Sequence, residues 1–320
     1  GPDKDKIFMG RDDILTMRQM GVNLIRLYDW DSRNHHTNFL DYCHSNNIKV
    51  LVPVSNYKLG AYGTPPPMDE SIRNLIKSFG NREGTNYHPA IYGIIIGSEL
   101  DLPSEMPKGY LAKYTKRWAE LENKYYPKYT KLPIGHPVSF ATHNGKYPCF
   151  EFWDNLLAEL KDVTISDLDK RLILCPHTYN EASYLFDDAE GSHRGWVDIT
   201  YDKYNLPILF CEIGCSRLER SDNVQVVAEQ LERSTIYQKQ NKGKLLGTCF
   251  FQFCDKIWMP GTTEGSFGAH HNSTILHYIV SYGSKDFSHT DGNNCNDQIL
   301  NVNVLDINPV FNAIRLIYTC

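Results

Sequence analysis

At 320 residues and a formal net charge of −5, the chain can bury a large single core, and it carries no basic excess that would favour a nucleic acid partner. Hydrophobic residues make up 41% and charged residues 22%, the balance of a globular protein, and no apolar stretch is long enough to span a bilayer. No secretory signal is visible, and Gly1-Pro2 reads as a tag-removal scar, which leaves a removed leader open. The 9 cysteines are odd in number and fit no zinc-finger or ribbon spacing. Cys175, Cys211, Cys215, Cys249 and Cys254 lie in or just after strand-like runs and are expected to be buried thiols, with disulfides elsewhere as the alternative. One glycosylation sequon, Asn272-Ser273-Thr274, favours a secreted or cell-wall location, with an intracellular one as the alternative.

From residue 12 onward, amphipathic helices alternate with short apolar strands. Residues 12–20 read as a helix with acids at its start and Gly21 as its left-handed stop. A strand follows at 22–28. A helix carrying Phe39, Leu40 and Cys43 leads to a second strand at 48–54. Beyond the turn-rich 63–67, a helix sets Ile72, Leu75, Ile76 and Phe79 on one face. The third strand, 91–97, runs straight into Ser98-Glu99. Tyr110, Tyr114, Trp118, Leu121 and Tyr125 then recur at helical spacing, a stripe expected to pack against a sheet rather than bind a ligand. Further strands are expected at 132–140, 172–177, 207–212 and 245–253. Helices are expected at 152–160 and 224–240, and a last one at 310–318 after Asn308-Pro309.

Apolar strands separated by helices indicate a parallel sheet covered on both faces. No glycine-rich dinucleotide turn follows the first strand, which disfavours an open doubly wound sheet. The expected class is therefore α/β, a (β/α)8 TIM barrel forming one catalytic domain over 1–320. Seven strands are counted where a barrel needs eight. Either residues 6–9 are a truncated first strand, or native residues precede Gly1. Residues 254–308 read as an unusually long loop rich in Gly, Asn, Ser and His, a candidate cleft wall. On it Trp258 is a candidate sugar platform, with inward packing as the alternative.

Function in such a barrel sits at the C-terminal strand ends. Those ends carry Tyr28-Asp29-Trp30, Ser55-Asn56-Tyr57, Ser98-Glu99, His177-Thr178-Tyr179, Glu212 and Gln252, with Asp255 and Trp258 just beyond. Carboxylates, amides, hydroxyls and aromatics in one ring suit a polyhydroxylated substrate. Glu99 and Glu212 each directly end an apolar strand, three strand steps apart. If the missing strand is the first, they end strands four and seven and face each other across the mouth. Retaining glycoside hydrolysis needs two carboxyls about 5–5.5 Å apart, one to attack the anomeric carbon and one to protonate the leaving oxygen and later activate water. Either glutamate alone could as readily be a salt-bridge partner. Glu181 is the chief rival but lies farther past its strand end. Neighbouring side chains such as His35-His36 and His270-His271 point in different directions, so no metal site is expected. Gly265-Ser266-Phe267-Gly268 reads as a loop rather than a phosphate cradle.

At these residues the chain resembles the barrels of glycoside hydrolase clan A. Residues 88–99 look like the approach to the clan's acid/base residue, and 21–29 are similar to the second strand of fungal β-1,3-glucanosyltransferases and plant-type β-1,3-glucanases. Residues 210–215 resemble the nucleophile segment of the former. The likeness runs in segments from about Asp12 to Trp258. It implies Glu99 as acid/base and Glu212 as nucleophile, with Tyr28 near the nucleophile and Tyr179 beside the cleaved sugar. Two positions depart from the pattern. Ser98 stands where the clan usually has the Asn that reaches the sugar 2-hydroxyl, and the strand at 247–253 has Phe where the glucanosyltransferases tend to show Tyr.

The expected function is a retaining hydrolase or transglycosylase on a β-glucan, most readily β-1,3-linked, monomeric and needing no cofactor. A β-1,4-glucanase, a mannanase and a carbohydrate-binding barrel without turnover are the alternatives. The substrate-binding candidates are Tyr28, Asp29, Ser98, His177, Tyr179, Gln252 and Trp258.

Overall fold

The computed structural model describes residues 12–139, 148–161, 167–254, 261–281, 297–307 and 309–319, with the backbone path alone at 148, 271–281 and 297–307. Helix α1 (Asp13–Gln19) starts where Asp12 Oδ1 accepts from Leu15 N at 2.9 Å, satisfying an otherwise orphaned donor of the first turn. Strand β1 (Leu24–Arg26) follows, then α2 (Thr37–Ser45), β2 (Lys49–Val54), α3 (Met68–Ser78), β3 (Ile91–Ile96), α4 (Tyr110–Tyr125) and β4 (Ile134–Val138). Next come α5 (Pro148–Lys161), β5 (Leu172–Thr178), α6 (Ala182–Phe186), α7 (Trp196–Tyr204), β6 (Ile208–Ile213), α8 (Asn223–Gln240) and β7 (Leu245–Phe250). The chain closes with β8 (His270–Ser281), β9 (Asp297–Ile307) and α9 (Pro309–Thr319).

Strands β1 to β7 form one parallel sheet in sequential order, and β1 comes back towards β7, so the sheet curls into a nearly closed TIM barrel rather than an open layer. The residues proposed above for a truncated first strand, 6–9, lie outside the described residues.

Alternation along the strands sorts side chains to two sides. Leu51, Ile95, Ile173, Cys175, Leu209, Cys211 and Cys249 meet inside the barrel. Ile94, Ile96, Val50 and Val52 face the helices with Leu75, Phe79 and Trp118, and Phe210 and Ile208 do so with Trp196 and Leu231. The interior is tight enough at β4 to require glycine: a Cβ on Gly135 would sit 2.3 Å from Cys175 Sγ. Cys43, Cys149, Cys175, Cys211, Cys215 and Cys249 are buried free thiols. The tyrosine–tryptophan stripe of α4 is packing at its centre, with Tyr114 and Trp118 fully buried, whereas Tyr125 at its end is exposed.

Two sequence expectations are refined. Pairing in β4 and β7 ends earlier than the apolar runs do, because residues beyond Val138 and Phe250 leave the sheet to build the mouth. The span expected to be a long loop, 254–308, carries β8 and β9, which pair antiparallel from His270↔Ile307 to Ser281↔Asp297. Their polar, Asn- and His-interrupted sequences hide a two-stranded ribbon from a search for continuous apolar runs.

Candidate active site

Side chains on the inward phase of β1 extend from the barrel core into its mouth. Leu24 packs on the interior cluster, and Arg26 and Tyr28 follow at the same phase, whereas Ile25 and Leu27 pack towards the helices. Arg26 is 4% exposed and ion-paired to Glu212 Oε1 through Nη1 at 2.9 Å. Its Nη2 donates to Ser98 Oγ at 3.0 Å, and its guanidinium lies 4.5 Å from the Tyr28 ring centroid. Burial alone would push Arg26 down. Its electrostatic interactions with the neighbouring Cys211, Tyr28 and Glu212 more than offset this and hold its pKa up.

Glu212, the penultimate residue of β6, is in register with His177 on β5. Tyr28 donates to its Oε1 at 2.7 Å, and Tyr179 donates to its Oε2. Both phenols have raised pKa values, first through burial and then through the Glu212 charge, so they remain proton donors at any physiological pH. One cation and two hydroxyls thus fix the carboxylate in orientation at 5% residue exposure.

Glu99 faces it from the end of β3. Its backbone is held at φ +51°, the left-handed region that non-glycine residues enter at a cost of about 1–3 kcal/mol. Gly97, at φ +77°, opens the bend, and a Cβ there would lie 2.4 Å from Leu100 Cδ1. Asn56 secures the turn by imitating a strand: its Oδ1 accepts from Ser98 N at 2.7 Å and its Nδ2 donates to Ser98 O at 2.8 Å. Glu99 N in turn donates to Pro137 O at 2.9 Å. Backbone strain at a strand end is held here by β4 and by the turn after β2, which keeps the carboxylate over the mouth.

His177 lies beneath both glutamates. Its Nδ1 is 3.0 Å from Glu99 Oε1 and 3.4 Å from Glu212 Oε1, and its Nε2 is 2.6 Å from Arg26 Nη1. A guanidinium can only donate, so Nε2 accepts and Nδ1 carries the proton, facing the two carboxylates. Burial, reinforced by the Arg26 cation, lowers the His177 pKa to about 3, so the ring is neutral. Glu99, His177 and Glu212 each bring one ligand-type atom within 4.8 Å of the others. A metal would need the Nδ1 lone pair, which this tautomer does not offer, and the Arg26 charge stands beside the site. The trio fits a proton-bearing hydrogen-bond network, not an ion. The same spacing brings the two carboxylates close enough for a sugar's anomeric carbon and leaving oxygen to be served together.

Above them lies a cleft of about 1000 Å³. Tyr28, Asp29, Ser98, Glu99, Tyr179 and Glu212 all line it, as anticipated from the sequence. Two anticipated residues are placed differently. His177 is 1% exposed and supports the carboxylates from below instead of forming the wall. Gln252 is not among the described lining residues; it lies beyond the end of β7, next to Phe251, which does line the cleft, and its amide donates to Glu264 O at 3.2 Å. The Phe251-Gln252 peptide is cis. Trp258 and Asp255 lie outside the described residues. The rival Glu181 is salt-bridged to Arg220 at the surface. Arg26 was not singled out from sequence, and Asn56 was named only among the strand-end residues, not as a support of Ser98. An arginine on the inward phase of an otherwise apolar strand was the available signal for the first.

No family model matches the chain. The 1,3-beta-glucanosyltransferase GAS5 of Saccharomyces cerevisiae is 19% identical over 213 residues, 65% of this chain and 41% of that protein. Among solved structures, S. cerevisiae Gas2 with a bound compound superposes with a TM-score of 0.60 at 14% identity, over 96% of this chain and 58% of that one. Gas2p in complex with laminaritetraose and laminaripentaose gives 0.58, again at 14% identity, over 96% and 57%. A GH2 beta-galacturonidase from Eisenbergiella tayi bound to galacturonate gives 0.51 at 15% identity, over 96% and 46%. The chain spans about half the length of these relatives. Among the described residues, no helix is long and apolar enough to cross a membrane. The chain thus shares the TIM-barrel fold of Gas2.

Proposed function

We propose that this barrel is a retaining glycoside hydrolase or transglycosylase acting on β-glucan, with β-1,3 linkages favoured. The observation that carries the reading is the opposed pair itself: Glu212 clamped by Arg26, Tyr28 and Tyr179, and Glu99 facing it within 4.8 Å, oxygen to oxygen. A structural ion pair has no need of a second carboxylate held on strained backbone at the floor of an open cleft.

In the first step a Glu212 oxygen bonds to the anomeric carbon, the glycosidic bond breaks, and Glu99 gives its proton to the leaving oxygen. In the second, water or a sugar hydroxyl attacks the same carbon and loses its proton to Glu99. The ester bond breaks and the Glu212 carboxylate is restored. Arg26 and the two phenols hold that carboxylate in its attacking direction throughout.

Charge supports a neutral glycan. Asp29, Glu99, Glu212, Glu219 and Glu264 line the cleft, while Arg26, sealed beneath, is the one cation among the described lining residues. A uronic acid polymer would meet repulsion at both ends. The β-1,3 preference rests on the resemblance of residues 21–29 and on the laminari-oligosaccharides bound by Gas2p. A secreted or wall-associated location follows from the same substrate.

Product analysis on laminari-oligosaccharides tests the reading. The wild type is expected to give shorter products, or both shorter and longer ones if it transfers, and Glu99→Gln and Glu212→Gln to give neither. Binding without any product, at high enzyme and long times, would replace it with a carbohydrate-binding barrel.

A further inference from the structure

The bend that carries Glu99 displaces one backbone donor of β4 from its usual partner. In a parallel pair, a residue that donates to a carbonyl of the next strand accepts in return from the amide two positions further on. Ile94 pairs with Ile134 in this way and donates to Pro133 O at 2.9 Å. Glu99 N donates to Pro137 O at 2.9 Å, so five residue steps from Ile94 to Glu99 match four from Pro133 to Pro137. The bend over Gly97 and Ser98 takes up the extra residue, as a bulge does. By this pairing the return donor to the Glu99 carbonyl would be Ser139 N.

That bond is not made. The Glu99 carbonyl accepts instead from Leu102 N at 3.1 Å, closing a turn over residues 99–102. Ser139 N donates to Asp101 Oδ1 at 2.8 Å, and the Ser139 hydroxyl donates to Asp101 Oδ2. The Asp101 carboxylate thus stands in for the carbonyl that the turn has drawn out of the ladder. With the carboxylate removed, the Glu99 carbonyl becomes the competing acceptor for Ser139 N, within reach only if the turn opens. Opening would let the backbone at φ +51° relax towards the extended region. It would also draw Glu99 Oε1 away from His177 Nδ1, 3.0 Å distant in the closed turn. Asp101 is half-buried and is not among the described residues that line the cleft, so it reaches the chemistry only through Glu99.

We infer that Asp101 is the positioning residue of the acid/base: by taking the Ser139 amide, its carboxylate holds the 99–102 turn closed and keeps Glu99 aimed at the leaving oxygen. The inference rests on the assignment of Glu99 made above. Its consequence falls on one event. In the first step the Glu212 oxygen bonds to the anomeric carbon, the glycosidic bond breaks, and the Glu99 proton passes to the leaving oxygen. A misplaced Glu99 slows this step where the leaving group must be protonated, and spares it where the leaving group departs as a stable anion. Loss of packing or of folding makes no such distinction.

Dinitrophenyl and phenyl β-laminaribioside provide the test, because they differ only in the leaving group, a stable phenolate in the first and a basic one in the second. Comparing kcat/KM confines the readout to formation of the glycosyl-enzyme. Asp101→Ala is expected to lower kcat/KM about ten- to a hundred-fold for the phenyl glycoside and less than about two-fold for the dinitrophenyl glycoside. Asp101→Glu, which shifts the acceptor by one methylene, is expected to show the same selectivity in smaller measure. Asp101→Asn keeps an acceptor for Ser139 N and is expected to stay within about three-fold of wild type on both substrates. The ratio of the two substrates is taken within each variant, so a smaller folded fraction cancels. Equal loss on both substrates, no loss on either, or a loss in Asp101→Asn as selective as that in Asp101→Ala overturns the inference. Glu99→Gln separates the two levels, since it is expected to show the strongest selectivity of all. Equal loss on both substrates in Glu99→Gln, or turnover of neither by the wild type, overturns the acid/base assignment and the inference with it.

Discussion

Two buried glutamates in this barrel are each surrounded by arginine and tyrosine, yet they do different things. Glu122 on α4 is fully buried; Arg171 grips it with Nη1 at 2.7 Å and Nη2 at 3.2 Å, Lys131 Nζ lies at 3.2 Å, and the Tyr87 hydroxyl donates at 2.5 Å. This cluster sits at the entrance to β5, where Arg171 Nε also donates to Leu132 O. Its two cations over-balance one carboxylate, and the Glu122 side chain is fully buried. Glu212 sits at the opposite strand ends with one cation, two phenols and a second carboxylate across a cleft. The lesson is that burial and an arginine partner do not mark a functional carboxylate. An incompletely balanced charge, a facing partner and access from solvent do.

Replacing one member of each network sharpens this comparison most. Glu122→Ala leaves Arg171 and Lys131 without their counter-charge and is expected to cost about 3–5 kcal/mol in denaturant unfolding, while the kcat of whatever protein remains folded stays near wild type. Arg26→Met is expected to cost a similar amount and, in addition, to lower kcat by about 100-fold or more, because Glu212, the proposed nucleophile, loses the charge that aims it. Equal effects of the two substitutions on kcat would erase the distinction between the sites.

A smaller effect separates the two regions by pH. His177 has its pKa depressed to about 3 from an ordinary value near 6.5, so the unfolded chain takes up a proton on this residue at pH values where the folded chain does not. The contribution is therefore complete above about pH 6.5 and lost as pH falls towards 3. From pH 6.5 to 5 alone it amounts to about 2 kcal/mol of stability. His136, buried against Thr115 and lowered to about 4, acts in the same direction. His177→Asn is expected to remove roughly half of this acid slope in urea titrations taken at several pH values. An unchanged slope would show that His177 is not held neutral.

Much of this was legible in the sequence for a physical reason. Parallel strands buried on both faces must be apolar almost throughout, so Ile91 to Ile96 and Ile208 to Cys211 announced themselves, and a glutamate at the end of each was conspicuous. Tyr28 and Tyr179 were legible by position at strand ends. Other residues were not. Asn56 acts through two backbone groups of a different strand, a role set by tertiary approach that no local pattern encodes. Glu122 looks like any exposed helix glutamate until Arg171, 49 positions away, is brought to it. Gln252 was misplaced because the strand pattern runs on to Phe253, whereas pairing stops at Phe250.

The central claim is that Glu212 is the nucleophile and Glu99 its acid/base partner. Treating the enzyme with a 2-deoxy-2-fluoro-β-laminarioligosyl fluoride, which forms the glycosyl-enzyme faster than it is turned over, and then measuring intact and peptide masses tests this most directly. One sugar adduct on Glu212 is the expected result. It should be absent in Glu212→Gln, and in Glu99→Gln it should form yet resist release by water. An adduct on Glu99, on Glu181 or on any other residue would contradict the assignment.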